Sequence, residues 1–150
     1  MVGAGQLGSR YLQGLSIFEC PLRIFILDIN PHSLELSKDR VLNFDRALKH
    51  HEISYHLSIT ECPNYFDLVI DASTSHTRPI VIKGIFAHAK VRFWILEKIL
   101  AHNISSLNEI EDCLIKNSVA WVNTPRRIID WHKQLKKVFN KKLPLDLSLT

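Results

Sequence analysis

Apolar and polar positions along the chain switch repeatedly between a helical and an extended period, and the switches lay out a series of elements. QLGSRYLQGLSIF (6–18) carries its apolar residues at helical spacing. RIFILD (23–28) is a short β-branched and aromatic run closing on an acid, the pattern of a buried strand. PHSLELSKDRVLNFDRALKH (31–50) opens on a proline, which suits a helix's first turn, and returns to helical spacing. ISYHL (53–57) alternates as a short strand, and FDLVIDAST (66–74) is a strand running out into small residues. RPIVIKGIFAHA (78–89) reads as a helix in spite of its β-branched residues. VRFWILEK (91–98) is a strand. ISSLNEIEDCLIKNS (104–118) is a helix capped by Ser105 or Ser106, with acids in its first half. VAWVN (119–123) is a strand, and TPRRIIDWHKQLKKVF (124–139) a helix with Thr124 as cap and Pro125 in its first turn.

Strands alternating with helices imply an α/β domain: a parallel, doubly wound sheet with helices on both faces and right-handed crossovers. The expected fold is Rossmann-like, with strand order 3-2-1-4-5-6 and a shortened first strand. The shortening comes from the start of the chain, MVGAGQLGSR, where only Met1 and Val2 precede a G-x-G-x-x-G turn. Strands of this kind usually run to about five residues. The missing three or so would cost several kcal/mol, at roughly 1.5–3 kcal/mol per buried side chain, against a total stability of roughly 5–15 kcal/mol. Two expectations stand side by side: the start lies upstream of Met1, or the domain is marginal.

Each glycine of the turn has a physical task. Gly3 makes the tight turn off the strand, Gly5 lets a diphosphate approach the backbone, and Gly8 lets the helix pack close to the sheet. The first amides of that helix, at Gln6 and Leu7, with the helix dipole, favour an anion. Asp28 lies twenty residues after Gly8 at the end of RIFILD, the place of a carboxylate that holds an adenosine ribose. An acid there repels a 2′-phosphate, so NAD is favoured over NADP, with Arg10 and Lys38 softening the preference.

In an open α/β sheet ligands bind beyond the carboxyl ends of the strands. Ala72, Ser73 and Thr74 are small enough for a cofactor to lie across them. Glu97 and Lys98 end the next strand. A Lys turned into a cleft can exchange a proton with a hydroxyl, and burial would lower its pKa toward a useful range. Asn123 could hydrogen-bond at the end of the last strand, and with Arg126 or Arg127 it is a candidate to reach an anionic or hydroxylated substrate. For each of these the plainer alternative is a loop residue or a solvated charge.

Bulk properties exclude several classes. The 150 residues suffice for one domain, 46% are hydrophobic and 23% charged. No apolar run reaches the roughly 20 residues of a membrane span, and no signal peptide is evident. Cys20, Cys62 and Cys113 are odd in number and widely spaced, which fits free thiols in a cytoplasmic protein. Much of the excess behind the net charge of +4 sits in one late stretch, KQLKKVFNKK, which is a weak signal and does not make nucleic acid an expected partner. His50, His51 and His56 lack a further ligand at metal-site spacing, so no metal is expected. Trp94, Trp121 and Trp131 are expected in packed or half-buried positions.

VGAGQLGSR, Asp28, DASTSH, LEK and VNTPRR, in this order and spacing, resemble the N-terminal NAD(P)-binding domain of the glucose–fructose oxidoreductase/inositol dehydrogenase (Gfo/Idh/MocA) family, over essentially the whole chain. The resemblance implies an NAD(P)-dependent oxidoreductase that transfers hydride to or from a sugar, polyol or sugar-nucleotide carbon. It implies that Lys98 is the general acid/base, with Glu97 beside it near the nicotinamide and His76 close to the cofactor. Ile99 stands where the family has a proline after the Lys, and Thr124-Pro125 interrupts the family's Asn-Arg-Arg-like element. The family continues into a second domain that supplies most of the substrate pocket and often the oligomer interface, so a homo-oligomer is compatible. Here residues 1–140 form the cofactor domain, and 141–150 (KLPLDLSLT with its preceding lysine) read as the start of a substrate domain that is missing. Two other expectations follow. A truncated, non-catalytic remnant would at most bind NAD. An S-adenosylmethionine methyltransferase would share the glycine turn but close on an antiparallel hairpin strand, where this chain closes VAWVN with a helix.

Overall fold

The computed structural model describes residues 1–42, 50–115, 118–125 and 129–139. Helices and strands follow one another as α1 (Gln6–Leu15), β1 (Arg23–Leu27), α2 (Pro31–Leu42), β2 (Glu52–His56), β3 (Tyr65–Asp71), α3 (Arg78–His88), β4 (Lys90–Glu97), α4 (Ile104–Ile115), β5 (Val119–Asn123) and α5 (Asp130–Phe139). Every strand pairing among the described residues is parallel: β1 with β2, β3 with β4, and β4 with β5. The α/β, Rossmann-like fold class is as the alternating pattern predicts.

Met1 and Val2 join the two halves of the sheet. Val2 bridges Leu27 of β1 on one side and Asp71 of β3 on the other, both in parallel. Its amide donates to Ile70 O at 2.8 Å, and Ala72 N donates back to Val2 O at 2.8 Å. Leu27 N donates to Met1 O at 2.9 Å. The two residues thus stand in the centre of the sheet as a shortened strand. Beyond them, between Arg23–Phe25 and Tyr65–Leu68, the strands border a cavity of about 480 Å³. The amino group of Met1 donates to Phe25 O at 2.6 Å at the edge of this space.

Apolar burial falls into two clusters. Ala4, Leu12, Ile24, Ile26 and Leu34 join α1 and α2 to β1. Val69, Ile82, Ile85, Val91, Trp94, Leu96, Ile110 and Leu114 join α3 and α4 to β3 and β4. The alternation of Ile24 and Ile26 with half-exposed neighbours places them on one face of β1.

Two helix starts differ from expectation. α4 begins at Ile104, and Asn103 Oδ1 accepts from Ser106 N at 2.7 Å, so Asn103 is the cap and Ser105 and Ser106 lie inside the helix. α5 begins at Asp130, not at Pro125. Thr124 Oγ1 is buried and has no hydrogen-bond partner among the described residues. Of the tryptophans, Trp94 is in the core, but Trp121 and Trp131 are exposed. Trp121 lies on β5, which pairs with β4 alone among the described residues.

Candidate functional site

The chain leaves Val2 through Gly3 at φ +88°, a conformation that favours glycine. A Cβ there would also stand 3.0–3.2 Å from the backbone of Ala72 and Ser73. A Cβ on Gly8 would lie 1.9 Å from Gly3 O, so the first turn of α1 packs directly on the glycine turn. At Gly5, by contrast, a Cβ would meet nothing within 4 Å. The tight turn and close packing are therefore intrinsic to the fold, whereas Gly5 faces open space. Gln6 and Leu7 form the exposed first turn of α1.

Asp28 meets this turn. Its Oδ2 accepts from Ala4 N at 2.7 Å, and its Oδ1 accepts from Asn30 N at 2.9 Å. The glycine turn and the carboxylate, 24 residues apart by position, thus occupy one place. A cleft of about 510 Å³ opens there, lined by Gly3, Gly5, Asp28, Ala72, Ser73 and Thr74 together with apolar residues. Among these, Ile29 and Leu57 expose 90% and 49% of their surface and give the cleft apolar faces.

A nicotinamide dinucleotide is compatible with these residues. The open space at Gly5 admits a diphosphate beside the amides of α1's first turn. Each oxygen of Asp28 has one protein donor and retains acceptor capacity for a ribose hydroxyl. The exposed apolar pair offers faces for a base.

A second group lies at the ends of β4 and β5. Glu97 is 5% exposed. The Tyr11 hydroxyl, reaching from α1, donates to Glu97 Oε1. Asn123 Nδ2 donates to the same oxygen at 2.6 Å and to the Tyr11 hydroxyl oxygen at 2.6 Å. Burial, and then Glu97, push the Tyr11 phenol well above its ordinary pKa. Lys98 follows immediately and is exposed, so the burial expected of it is absent. The Lys98–Ile99 peptide is cis. His76 is exposed and stacks on His102, with ring centroids 4.0 Å apart.

Of the residues singled out in the sequence, Gly3, Gly5, Asp28, Ala72, Ser73 and Thr74 share the cleft. Glu97 and Asn123 meet one another, with Lys98 next in chain. Arg126 and Arg127 lie outside the described residues. His51 accepts from Leu22 N at 3.2 Å, whereas His56 contacts Ser54 and Glu61, so these two histidines serve separate local contacts. Sequence reasoning missed Tyr11 and Arg78. Tyr11 sits in the apolar stripe of its helix, and Arg78 is a charge at a helix start, so neither carries a local signal of its partners.

Solved structures share this fold. Myo-inositol dehydrogenase from Lactobacillus casei, in complex with NAD(H) and myo-inositol, matches at TM-score 0.69 and 19% identity, over 93% of this chain and 40% of that one. Scyllo-inositol dehydrogenase from the same organism, in its apo form, matches at TM-score 0.65 and 16% identity, over 93% and 40%. An oxidoreductase from Agrobacterium radiobacter, in complex with NAD+, L-tartaric acid and magnesium, matches at TM-score 0.64 and 19% identity, over 93% and 39%. The chain spans about 40% of the length of the two inositol dehydrogenases. No family model and no curated protein matches the chain.

Proposed function

We propose that the chain is the cofactor-binding half of an NAD-dependent oxidoreductase of Gfo/Idh/MocA type. The observation that supports this reading is the bond from Ala4 N to Asp28 Oδ2, which brings the glycine turn and the Asp28 carboxylate together at one cleft. Diphosphate binds along the amides from Gly5 to Leu7, ribose at Asp28, and the base between Ile29 and Leu57. The charge of Asp28 disfavours a 2′-phosphate, so NAD is preferred to NADP. A nicotinamide held there would supply hydride chemistry at a carbon of the substrate. Lys98 Nζ exchanges the proton of that carbon's hydroxyl, and buried Glu97, held by Tyr11 and Asn123, fixes the strand end that presents it.

The substrate class is a sugar, polyol or sugar-nucleotide hydroxyl, or the matching ketone. The polyhydroxylated ligands of the similar structures support this choice. A second domain, entered through 141–150, supplies the rest of the pocket, with Arg126 and Arg127 as substrate anchors. The exposure of Lys98 favours a second reading, in which these residues alone bind NAD and turn nothing over.

Titration with NADH, followed by energy transfer from tryptophan, tests the proposal. Saturable transfer that NAD competes away is expected. Displacement by S-adenosylmethionine, or absence of transfer, contradicts it.

A further inference from the structure

Arg78, the first residue of α3, is only 1% exposed although it is charged. Its Nη1 donates to the carbonyl oxygens of Glu97 at 2.7 Å, Ile99 at 2.6 Å and Leu100 at 2.9 Å. Its Nη2 donates to Ser73 O at 2.5 Å. Nε faces Asp71 Oδ2 at 3.6 Å, an ion-pair separation beyond hydrogen-bond reach. Asp71 Oδ1 in turn accepts from Ser73 N at 2.8 Å. The same Ser73 backbone abuts Gly3.

A buried cation is costly unless it is compensated on several sides. Here the compensation comes from two turns. One follows β4 and brackets Lys98 with carbonyls on both sides; the other follows β3 and walls the cleft. Only a planar fork can address both turns and a carboxylate at once. An ammonium is a point charge whose three donors diverge from one atom. The Lys98 side chain stays exposed while the backbone on either side of it is tied down.

We propose that Arg78 is a positioning residue, whose guanidinium fixes the Lys98 turn against the Ser73 wall of the cleft. The functional meaning of this clamp rests on the assignment of Lys98 as the proton-transfer group.

Two measurements on the full chain test it. In the wild-type protein, isotope-edited NMR of Arg78 should resolve separate Nη–H signals with hydrogen-bond couplings to the carbonyl carbons of Glu97 and Ile99. One averaged, freely rotating set overturns the proposal, and this arm needs no variant to fold. In the second measurement, trypsin cleavage after Lys98 is compared with cleavage after Lys90 and Lys133. Proteolysis reports the population of the locally open form, so Arg78→Lys and Arg78→Ala should each speed Lys98 cleavage selectively, by about tenfold or more. Guanidinium ion, well below denaturing concentration, should slow it again in Arg78→Ala. Faster cleavage at all sites together, acceleration by guanidinium, or unchanged Lys98 cleavage overturns the clamp. NADH titration of the same samples separates the two proposals. Selective, rescuable cleavage without NADH binding removes the nicotinamide reading alone, and NADH binding with unselective cleavage removes the clamp alone.

Discussion

Asn123 Nδ2 at the end of β5 donates across 2.6 Å to Glu97 Oε1 at the end of β4, and the Tyr11 hydroxyl of α1 donates to the same oxygen. One buried carboxylate oxygen therefore joins three elements. Tyr11→Phe should destabilise the fold by about 1–3 kcal/mol, because a buried charge loses a donor. Asn123→Ala should cost a similar amount, and the two should combine non-additively because they share an acceptor. Urea unfolding measures both. The folded state holds the Tyr11 proton more tightly than the unfolded chain, so this contribution is intact at neutral pH and lost as pH climbs above about 10. Tyr11→Phe should flatten that alkaline loss.

The glycines of the turn should separate stability from binding. Gly8→Ala puts a methyl against a backbone oxygen that cannot yield and should cost about 3 kcal/mol or more. Gly5→Ala finds free space and should leave unfolding unchanged. It should weaken NAD binding by about 1–3 kcal/mol, since the methyl enters the diphosphate's path. Denaturation and calorimetric titration of the two variants check the pair.

Lys98→Ala, in a form completed by a substrate domain, should leave NAD affinity nearly unchanged and lower turnover about 100-fold or more, the usual scale for a general acid/base. Steady-state kinetics beside a binding titration reads both. Unchanged turnover removes Lys98 from the mechanism.

What the sequence made legible was local. G-x-G-x-x-G, a strand ending on Asp28, and small residues at 72–74 are patterns within single elements, and these residues share the cleft. What it hid depends on backbone partners brought from elsewhere. The acceptors of Arg78 are carbonyls, which every residue carries, so no residue type announces them. The partners of Asn123 were hidden in the same way: its Nδ2 donates to Glu97 and Tyr11, side chains that come from β4 and α1. Ser105, Ser106 and Asn103 are all good caps, and only the helix phase selects Asn103. Trp121 read as packed because aromatics favour strands, but β5 leaves it exposed.

Backbone amide NMR of the chain during NADH addition tests the central claim most directly. The expected result is that the largest shifts fall on Ala4 to Leu7, Asp28 and Ala72 to Thr74, that NADPH produces weaker ones, and that Asp28→Ala abolishes most of the response. Shifts centred elsewhere, or a response indifferent to Asp28→Ala, would contradict a dinucleotide site built from the glycine turn and Asp28.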